Sequence, residues 1–202
     1  MDLKPIETVY NGYRFRSRLE ARWAVYFDTL GIEYEYEKEG FDLGEHGWYL
    51  PDFWLPQVSM WAEVKGKEFT EEELIKAKKL ASASHYPVMK LKGIPECKSY
   101  NGYIPFSNDD FLEFPFYISI WVHNHGVCLR HGNIPLEYVA PPHEILSGVK
   151  AARSARFEYG ETPQIIKEAP HKDDQEATLS QAANRIDFSR ALISPTSGKP
   201  YN

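Results

Sequence analysis

This chain of 202 residues has few cysteines and no long apolar run, and each of these absences excludes a class of protein. It has two cysteines, too few for a disulfide framework or a four-cysteine zinc site and typical of a reducing cytoplasm. No run of eighteen apolar residues occurs, so no transmembrane helix is expected. The first ten residues lack the apolar stretch of a signal peptide. We therefore expect a soluble cytoplasmic protein.

The chain also lacks an excess of positive charge, since its formal net charge is −6. This excludes a globally basic nucleic-acid-binding protein, but it does not exclude a locally basic cleft, because steering depends on where charges lie. Aromatic residues, by contrast, make up 14% of the chain and apolar residues 43%. That composition predicts a folded domain with a core and excludes a fully disordered chain.

Hydrophobic periodicity predicts a helix over residues 17–30, whose apolar side chains recur on one stripe. A second helix is predicted to begin after Thr70, because Glu73 follows three residues later as in a capping box. Four strands are predicted, over residues 32–40, 48–55, 61–65 and 88–91. The order helix, strand, strand, strand, helix, strand indicates an α/β layer with a mixed sheet.

The pattern weakens after Gly93. A hairpin is predicted from residues 116–123 and 127–130, and a third helix is predicted from the Pro141-Pro142 pair to residue 158. We therefore divide the chain into three parts. They are a core of residues 1–93, an extension of residues 94–160 whose hairpin and helix pack on the core, and a polar tail of residues 161–202 that is ordered only when docked.

The candidate chemistry lies between the second and third predicted strands. Pro51 ends or bends the second strand, since proline cannot donate to a sheet ladder, and Asp52 follows it. Glu63 and Lys65 are two residues apart on the third strand, so their side chains share one face. If the two strands are neighbours, the carboxylates of Asp52 and Glu63 converge beside Lys65.

Two converging carboxylates form a site of hard oxygen ligands, which suits Mg²⁺ or Mn²⁺. A metal held there can neutralise a phosphoryl oxygen and lower the pKa of a bound water. The lysine can hold that water or accept its proton. The pattern therefore indicates phosphodiester hydrolysis, with Glu20 on the border of the first helix as a third carboxylate.

Three short motifs occur in order along the chain: RSRLE at residues 16–20, YLPDF at residues 49–53 and EVKG at residues 63–66. Together they resemble the PD-(D/E)xK nuclease superfamily, and they are most similar to endonuclease subunits of heteromeric transposases and to nucleases carried by phages and prophages. The resemblance covers about residues 10–92. It implies a restriction-endonuclease-like αβββαβ core, which agrees with the element order predicted above.

The resemblance further implies an endonuclease that hydrolyses DNA with Mg²⁺ or Mn²⁺. By this similarity Glu20, Asp52 and Glu63 are metal ligands, the carbonyl of Val64 completes the metal site, and Lys65 is the catalytic lysine. Cutting a duplex needs two active sites or two visits, so a homodimer is compatible with this activity. RNA stays open as a second substrate: the sequence shows no module that reads the 2′-hydroxyl, which is the group that distinguishes RNA from DNA, and no other feature in it decides between the two.

The basic residues around the first helix are the candidates for contacting phosphates. The strand predicted over residues 32–40 carries glutamates that would repel a phosphate backbone, so we expect nucleic acid to approach from the arginine side. The expected nucleic-acid-binding residues are Arg14, Arg16, Arg18, Arg22 and Lys67.

Each motif also has a structural alternative. Ser17 and Glu20 have the spacing of a capping box, in which Glu20 binds backbone and not metal. Asp52 is compatible with an ordinary turn, and Glu63 with Lys65 is compatible with a solvated pair on a strand. The alternative function is a catalytically silent protein of the same fold and of phage origin, which binds nucleic acid or a host factor.

Overall fold

The computed structural model describes residues 5–107, 110–121, 126–131 and 143–157. The helices and strands, in chain order, are β1 (Thr8–Tyr10), β2 (Tyr13–Phe15), α1 (Arg18–Thr29), β3 (Glu35–Tyr36), β4 (Phe41–Asp42), β5 (Trp48–Tyr49), β6 (Phe53–Leu55), β7 (Met60–Lys65), α2 (Glu71–Ser84), β8 (Val88–Lys92), β9 (Tyr100–Ser107), β10 (Asp110–Trp121), β11 (Gly126–His131) and α3 (His143–Ser154). None of the helices among these residues has both the length and the apolar character needed to span a bilayer.

Local signals place both of the first two helices where the sequence predicts them. The hydroxyl of Ser17 accepts the backbone N–H of Glu20 at the start of α1. Gly31, just beyond its end, has a left-handed backbone with φ +67, which glycine adopts without the strain that a Cβ would add. Thr70 and Glu73 form the predicted capping box at the start of α2.

A mixed sheet of seven strands runs through the described residues, in the order β11-β10-β9-β8-β7-β6-β3. Neighbours are antiparallel except β7 and β8, which are parallel. A parallel pair needs a long crossover, and α2 provides it. The predicted α/β class with a mixed sheet is therefore confirmed.

Two predicted strands are wrong in extent. The predicted strand of residues 32–40 is reduced to the two residues of β3, and Glu37, whose left-handed backbone has φ 47, ends the extended run on its C-terminal side. The predicted strand of residues 48–55 is divided into β5 and β6, which belong to different sheets. Proline at position 51 and the bend at Asp52 separate them.

The extension is predicted in part. β10 and β11 form the predicted hairpin, with Trp121 opposite Gly126, and α3 begins two residues after Pro141 and ends before the predicted residue 158. β9 is absent from the prediction, since Gly102 and Pro105 interrupt its pattern. The tail of residues 161–202 lies outside the described residues.

Apolar side chains cover both faces of the sheet. Phe53, Ala62 and Val64 contribute to the core on the face covered by α1, and Trp54 and Trp61 pack on the opposite face with the buried side of α2. Successive residues of a strand point to opposite faces. Glu63 and Lys65 therefore share the α2 face with Trp61, and the predicted alternation of this strand is confirmed.

α3 packs against α1 in an antiparallel direction. The guanidinium of Arg22, in the first half of α1, donates to the carbonyls of Ala152 and Arg153 near the end of α3, over 2.6 and 2.9 Å. Gly148 lies against Leu30 at the other end of α1, and a Cβ there would come within 3.0 Å of its side chain. The end of α3 therefore lies beside the start of α1.

Candidate functional site

Strand register brings the central pair of carboxylates together. Phe53 of β6 lies opposite Ala62 of β7, and one further step of this antiparallel register sets Asp52 beside Glu63. The backbone N–H of Val64 donates to Oδ2 of Asp52 over 2.8 Å. Asp52 and Glu63 are 4% and 3% exposed, so β6 and β7 hold two acidic groups in the protein interior.

Lys65 lies directly beside this pair. Its Nζ is 2.7 Å from Oε1 of Glu63 and 3.7 Å from Oε1 of Glu73, which belongs to the first turn of α2. Burial alone lowers the pKa of Lys65, but the charge of Glu63 and its hydrogen bond outweigh burial and leave the pKa raised. The ammonium is therefore charged at neutral pH, which favours a role in holding water or phosphate over a role as proton acceptor.

One oxygen of Glu63 has no partner. Oε2 is buried and accepts no hydrogen bond from the part of the chain that the structure describes. Tyr49 of β5 lies near Glu63, and its pKa is raised first by burial and then by the negative charge of Glu63. Tyr49 therefore stays protonated. An unpartnered buried carboxylate oxygen is costly, and a bound cation would satisfy it.

Asp52 bears the clearest electrostatic cost. Its pKa is raised well above the ordinary value, first by burial and then by the negative charges of Glu63 and Glu20. The N–H of Val64 and the charge of Lys65 oppose this rise without cancelling it. The site therefore carries more negative charge than its own cations neutralise, as expected where a divalent cation binds.

This cost predicts how stability depends on pH. The folded protein binds the proton of Asp52 more tightly than the unfolded chain does. Proton binding by Asp52 therefore stabilises the fold fully below the ordinary aspartate pKa, and this stabilisation is lost as pH rises through the raised pKa. Asp52→Asn removes the free-energy cost of keeping this buried carboxylate charged in the folded protein. In chelator at pH 8 we expect its Tm to exceed that of the wild type by about 3–6 °C, on the scale of roughly 1–2 kcal/mol for a domain of this size.

The gain in Tm of Asp52→Asn over the wild type is expected to shrink toward pH 4 in thermal scans. Asp42→Asn is the matched control, because Asp42 is exposed and its carboxylate accepts one backbone N–H, that of Gly44. An Asp52→Asn protein no more stable than the wild type at pH 8 would contradict the electrostatic account.

Glu20, the third expected ligand, is held by donors of its own. Its Oε1 accepts the Ser17 hydroxyl over 2.6 Å, and its Oε2 accepts the Tyr36 hydroxyl over 2.6 Å and the backbone N–H of Arg16 over 3.1 Å. The carboxylate thus closes the start of α1 much as a capping box does. Its charge still acts on Asp52, and its role as a metal ligand stays a prediction.

The described residues contain no group of three or more His, Cys, Asp or Glu side chains placed to hold a metal ion. The oxygens of Glu20 accept from Ser17, Tyr36 and Arg16. Asp52 and Glu63 still fit a hard divalent cation, because Mg²⁺ binds through one or two carboxylates and keeps several waters. The unpartnered Oε2 of Glu63 and the raised pKa of Asp52 are the observations in favour.

The expected nucleic-acid-binding residues are distributed unevenly around this site. Arg16 contacts it, with a guanidinium nitrogen 3.5 Å from Oδ1 of Asp52. Arg14 is exposed and pairs with Glu7 over 3.4 Å. Arg18 stands at the start of α1 and Lys67 is exposed just after β7. Arg22 is turned to the carbonyls of α3. Nucleic-acid binding by these five residues stays a prediction.

The structure adds four residues that sequence reasoning did not place at the site. Tyr36 donates to Glu20, Tyr49 lies near Glu63, Glu37 pairs with Arg16, and Glu73 lies near Lys65. The sequence indicated Glu73 only as part of a helix cap. It did not indicate Tyr49 as a site residue, because residues 48–55 were predicted as a single strand.

Compared with protein-family models and with curated proteins, the chain matches none of them.

Proposed function

We propose that this protein is a metal-dependent endonuclease of the restriction-endonuclease-like fold, which hydrolyses DNA phosphodiester bonds with Mg²⁺ or Mn²⁺. The observation that carries the proposal is the open end of the β6–β7 hairpin, just before β6 begins and near where β7 ends. There Asp52 and Glu63 are buried side by side, one oxygen of Glu63 lacks a partner within the described chain, and the ammonium of Lys65 lies 2.7 Å from the other oxygen.

The order of elements supports the same proposal. α1 is followed by three strands of the large sheet, β3, β6 and β7, then by α2 and by β8. The RSRLE motif enters α1, the aspartate of YLPDF precedes β6, and EVKG ends β7. The three motifs thus lie on the elements that the superfamily resemblance implies.

The chemistry can be assigned to residues. Asp52, Glu63 and the carbonyl of Val64 would hold the ion, which supplies a Lewis acid and an activated water when bound. Lys65, kept charged by Glu63, donates to the attacking water or to a phosphate oxygen and stabilises the negative charge that develops there. Tyr49, which lies near Glu63, is the group available to orient its carboxylate, as outer partners do at metal sites.

Charge placement favours an approach of DNA along α1 and α3. The antiparallel packing of the two helices sets the end of α3 beside the start of α1, where Glu20 lies. Exposed cations at that end supplement Arg16 and Arg18: they are Lys150, Arg153 and Arg156. Such residues contact phosphates without reading sequence.

A nuclease panel tests the proposal. Purified protein is incubated with single-stranded, duplex and branched DNA and with RNA, in Mg²⁺, in Mn²⁺ and in chelator. We expect cleavage of DNA that needs a metal and disappears in chelator. Lys65→Ala is the control for a contaminating nuclease, and equal cleavage by this variant, or cleavage that survives chelator, would contradict the proposal.

One observation favours the second candidate, a silent nuclease-fold protein that binds nucleic acid or a host factor. Both oxygens of the Glu20 carboxylate already accept hydrogen bonds, in keeping with the absence of a three-ligand metal group from the described residues. Calorimetric titration with Mn²⁺ separates the candidates. Binding at micromolar to millimolar metal supports the nuclease, and no binding in that range supports the silent protein.

A further inference from the structure

Arg16 has a backbone held by hydrogen bonds and a side chain that is largely exposed. Its N–H is shared between Oε2 of Glu20, at 3.1 Å, and the hydroxyl of Tyr36, at 3.0 Å. These contacts lock the residue at the entry to α1. Its side chain, by contrast, is 56% exposed, so the guanidinium can change position at little cost in packing while the backbone stays in place.

The guanidinium lies between two acids. One terminal nitrogen is 3.5 Å from Oδ1 of Asp52, and Nε pairs with the carboxylate of Glu37. Oδ2 of Asp52 already accepts the N–H of Val64. Oδ1 is therefore the oxygen of Asp52 that a metal ion would use, and Arg16 is the cation that contacts it.

Glu37 is positioned to stay paired with the guanidinium of Arg16. Its backbone has φ 47, and its N–H donates to the carbonyl of Asp52 over 2.9 Å. This backbone bond fixes Glu37 beside Asp52. A guanidinium that leaves Oδ1 can thus remain paired with Glu37 and does not have to move into bulk water alone.

We propose that Arg16 guards the metal site, by which we mean that its guanidinium competes with the metal ion for Oδ1 of Asp52. In the metal-free protein its guanidinium partly neutralises Asp52, and it must give up Oδ1 before a divalent cation can bind there. Since arginine does not lose its proton in proteins, the competition is between two cations for one oxygen. The displaced guanidinium then faces the cleft, where it can contact a substrate phosphate. This inference rests on the proposed function, because the competing ion is the catalytic metal.

The test is calorimetric titration of Mn²⁺ into the wild type, Arg16→Gln and Arg16→Lys. Arg16→Gln loses the charge and keeps N–H donors. We expect it to bind Mn²⁺ about three- to tenfold more tightly, because the metal ion no longer has to break an exposed ion pair and is no longer repelled by the guanidinium. Arg16→Lys keeps the charge and is expected to stay within about twofold of the wild type. Arg14→Gln, two residues earlier and paired with Glu7, is the control and is expected to leave the Mn²⁺ affinity unchanged.

A second readout separates guarding from a purely structural role. In a Lys65→Ala background, which is expected not to cleave, Arg16→Gln should weaken binding of labelled DNA in fluorescence anisotropy while it strengthens binding of Mn²⁺. A variant that merely disturbs the fold would weaken both.

The outcomes distinguish the two proposals. If the wild type binds Mn²⁺ and Arg16→Gln binds it equally or less tightly, the guard is refuted and the nuclease proposal stands. If neither protein binds Mn²⁺, the metal site is refuted and the guard with it.

Discussion

Asp52→Asn and Lys65→Ala are each expected to lower the rate of metal-dependent DNA cleavage by about a thousandfold or more. Asp52→Asn removes the charge of a metal-binding carboxylate, and Lewis-acid stabilisation by a metal is worth several kcal/mol of barrier. Lys65→Ala removes the ammonium 2.7 Å from Glu63 and with it a preorganised positive charge at the reacting phosphate. Single-turnover cleavage at saturating protein measures both effects.

The two variants are expected to keep the fold, since neither side chain lies in the apolar clusters on the two faces of the sheet. Lys98→Ala is the matched control, because Lys98 pairs with Glu96 in the segment between β8 and β9. A folded Asp52→Asn protein that cleaves at the wild-type rate would end the nuclease proposal.

Glu20→Ala is expected to lower the free energy of unfolding by about 3 kcal/mol, because it leaves the Tyr36 hydroxyl and the Arg16 N–H without their carboxylate partner and opens the cap of α1. In a domain of this size the Tm should fall by roughly 6–12 °C. Thermal scans in chelator measure this loss without any contribution from metal.

The same variant separates the two interpretations of Glu20. Glu7→Ala is the control, because Glu7 is an exposed carboxylate that pairs with Arg14, and its Tm is expected to change little. If Glu20→Ala melts like the wild type in chelator but no longer binds Mn²⁺, Glu20 acts as a metal ligand and the hydrogen-bonded cap contributes little to stability.

The parts of the fold that depend on neighbouring residues were predictable. α1 and α2 begin at Ser17 and Thr70, whose side chains bond backbone groups three residues later, and such contacts are visible as sequence spacing. The alternation along β7 likewise follows from period two. Prediction was poorer for β3, because Glu37 takes a left-handed backbone that nothing in its own sequence requires.

The division of residues 48–55 shows why part of the site was missed. Aromatic residues on both sides of Pro51 continue one β pattern, yet β5 pairs with β4 while β6 pairs with β3 and β7. Strand partners are chosen by contacts distant in sequence, and local pattern does not encode them. Tyr49 therefore approaches Glu63 from β5, which belongs to a different sheet from β6, and not from the single strand that was predicted.

Caps, periodicity and spacing are properties of short segments, so they were enough to predict the helices, the mixed α/β class, and the candidate set of Asp52, Glu63 and Lys65. The assembled fold was needed to show that Glu20 is bound by Ser17, Tyr36 and Arg16, that one oxygen of Glu63 has no partner in the described chain, and that Arg16 contacts Asp52. Burial and charge balance depend on which distant segments fold against one another, so they exist only once the sheet is assembled.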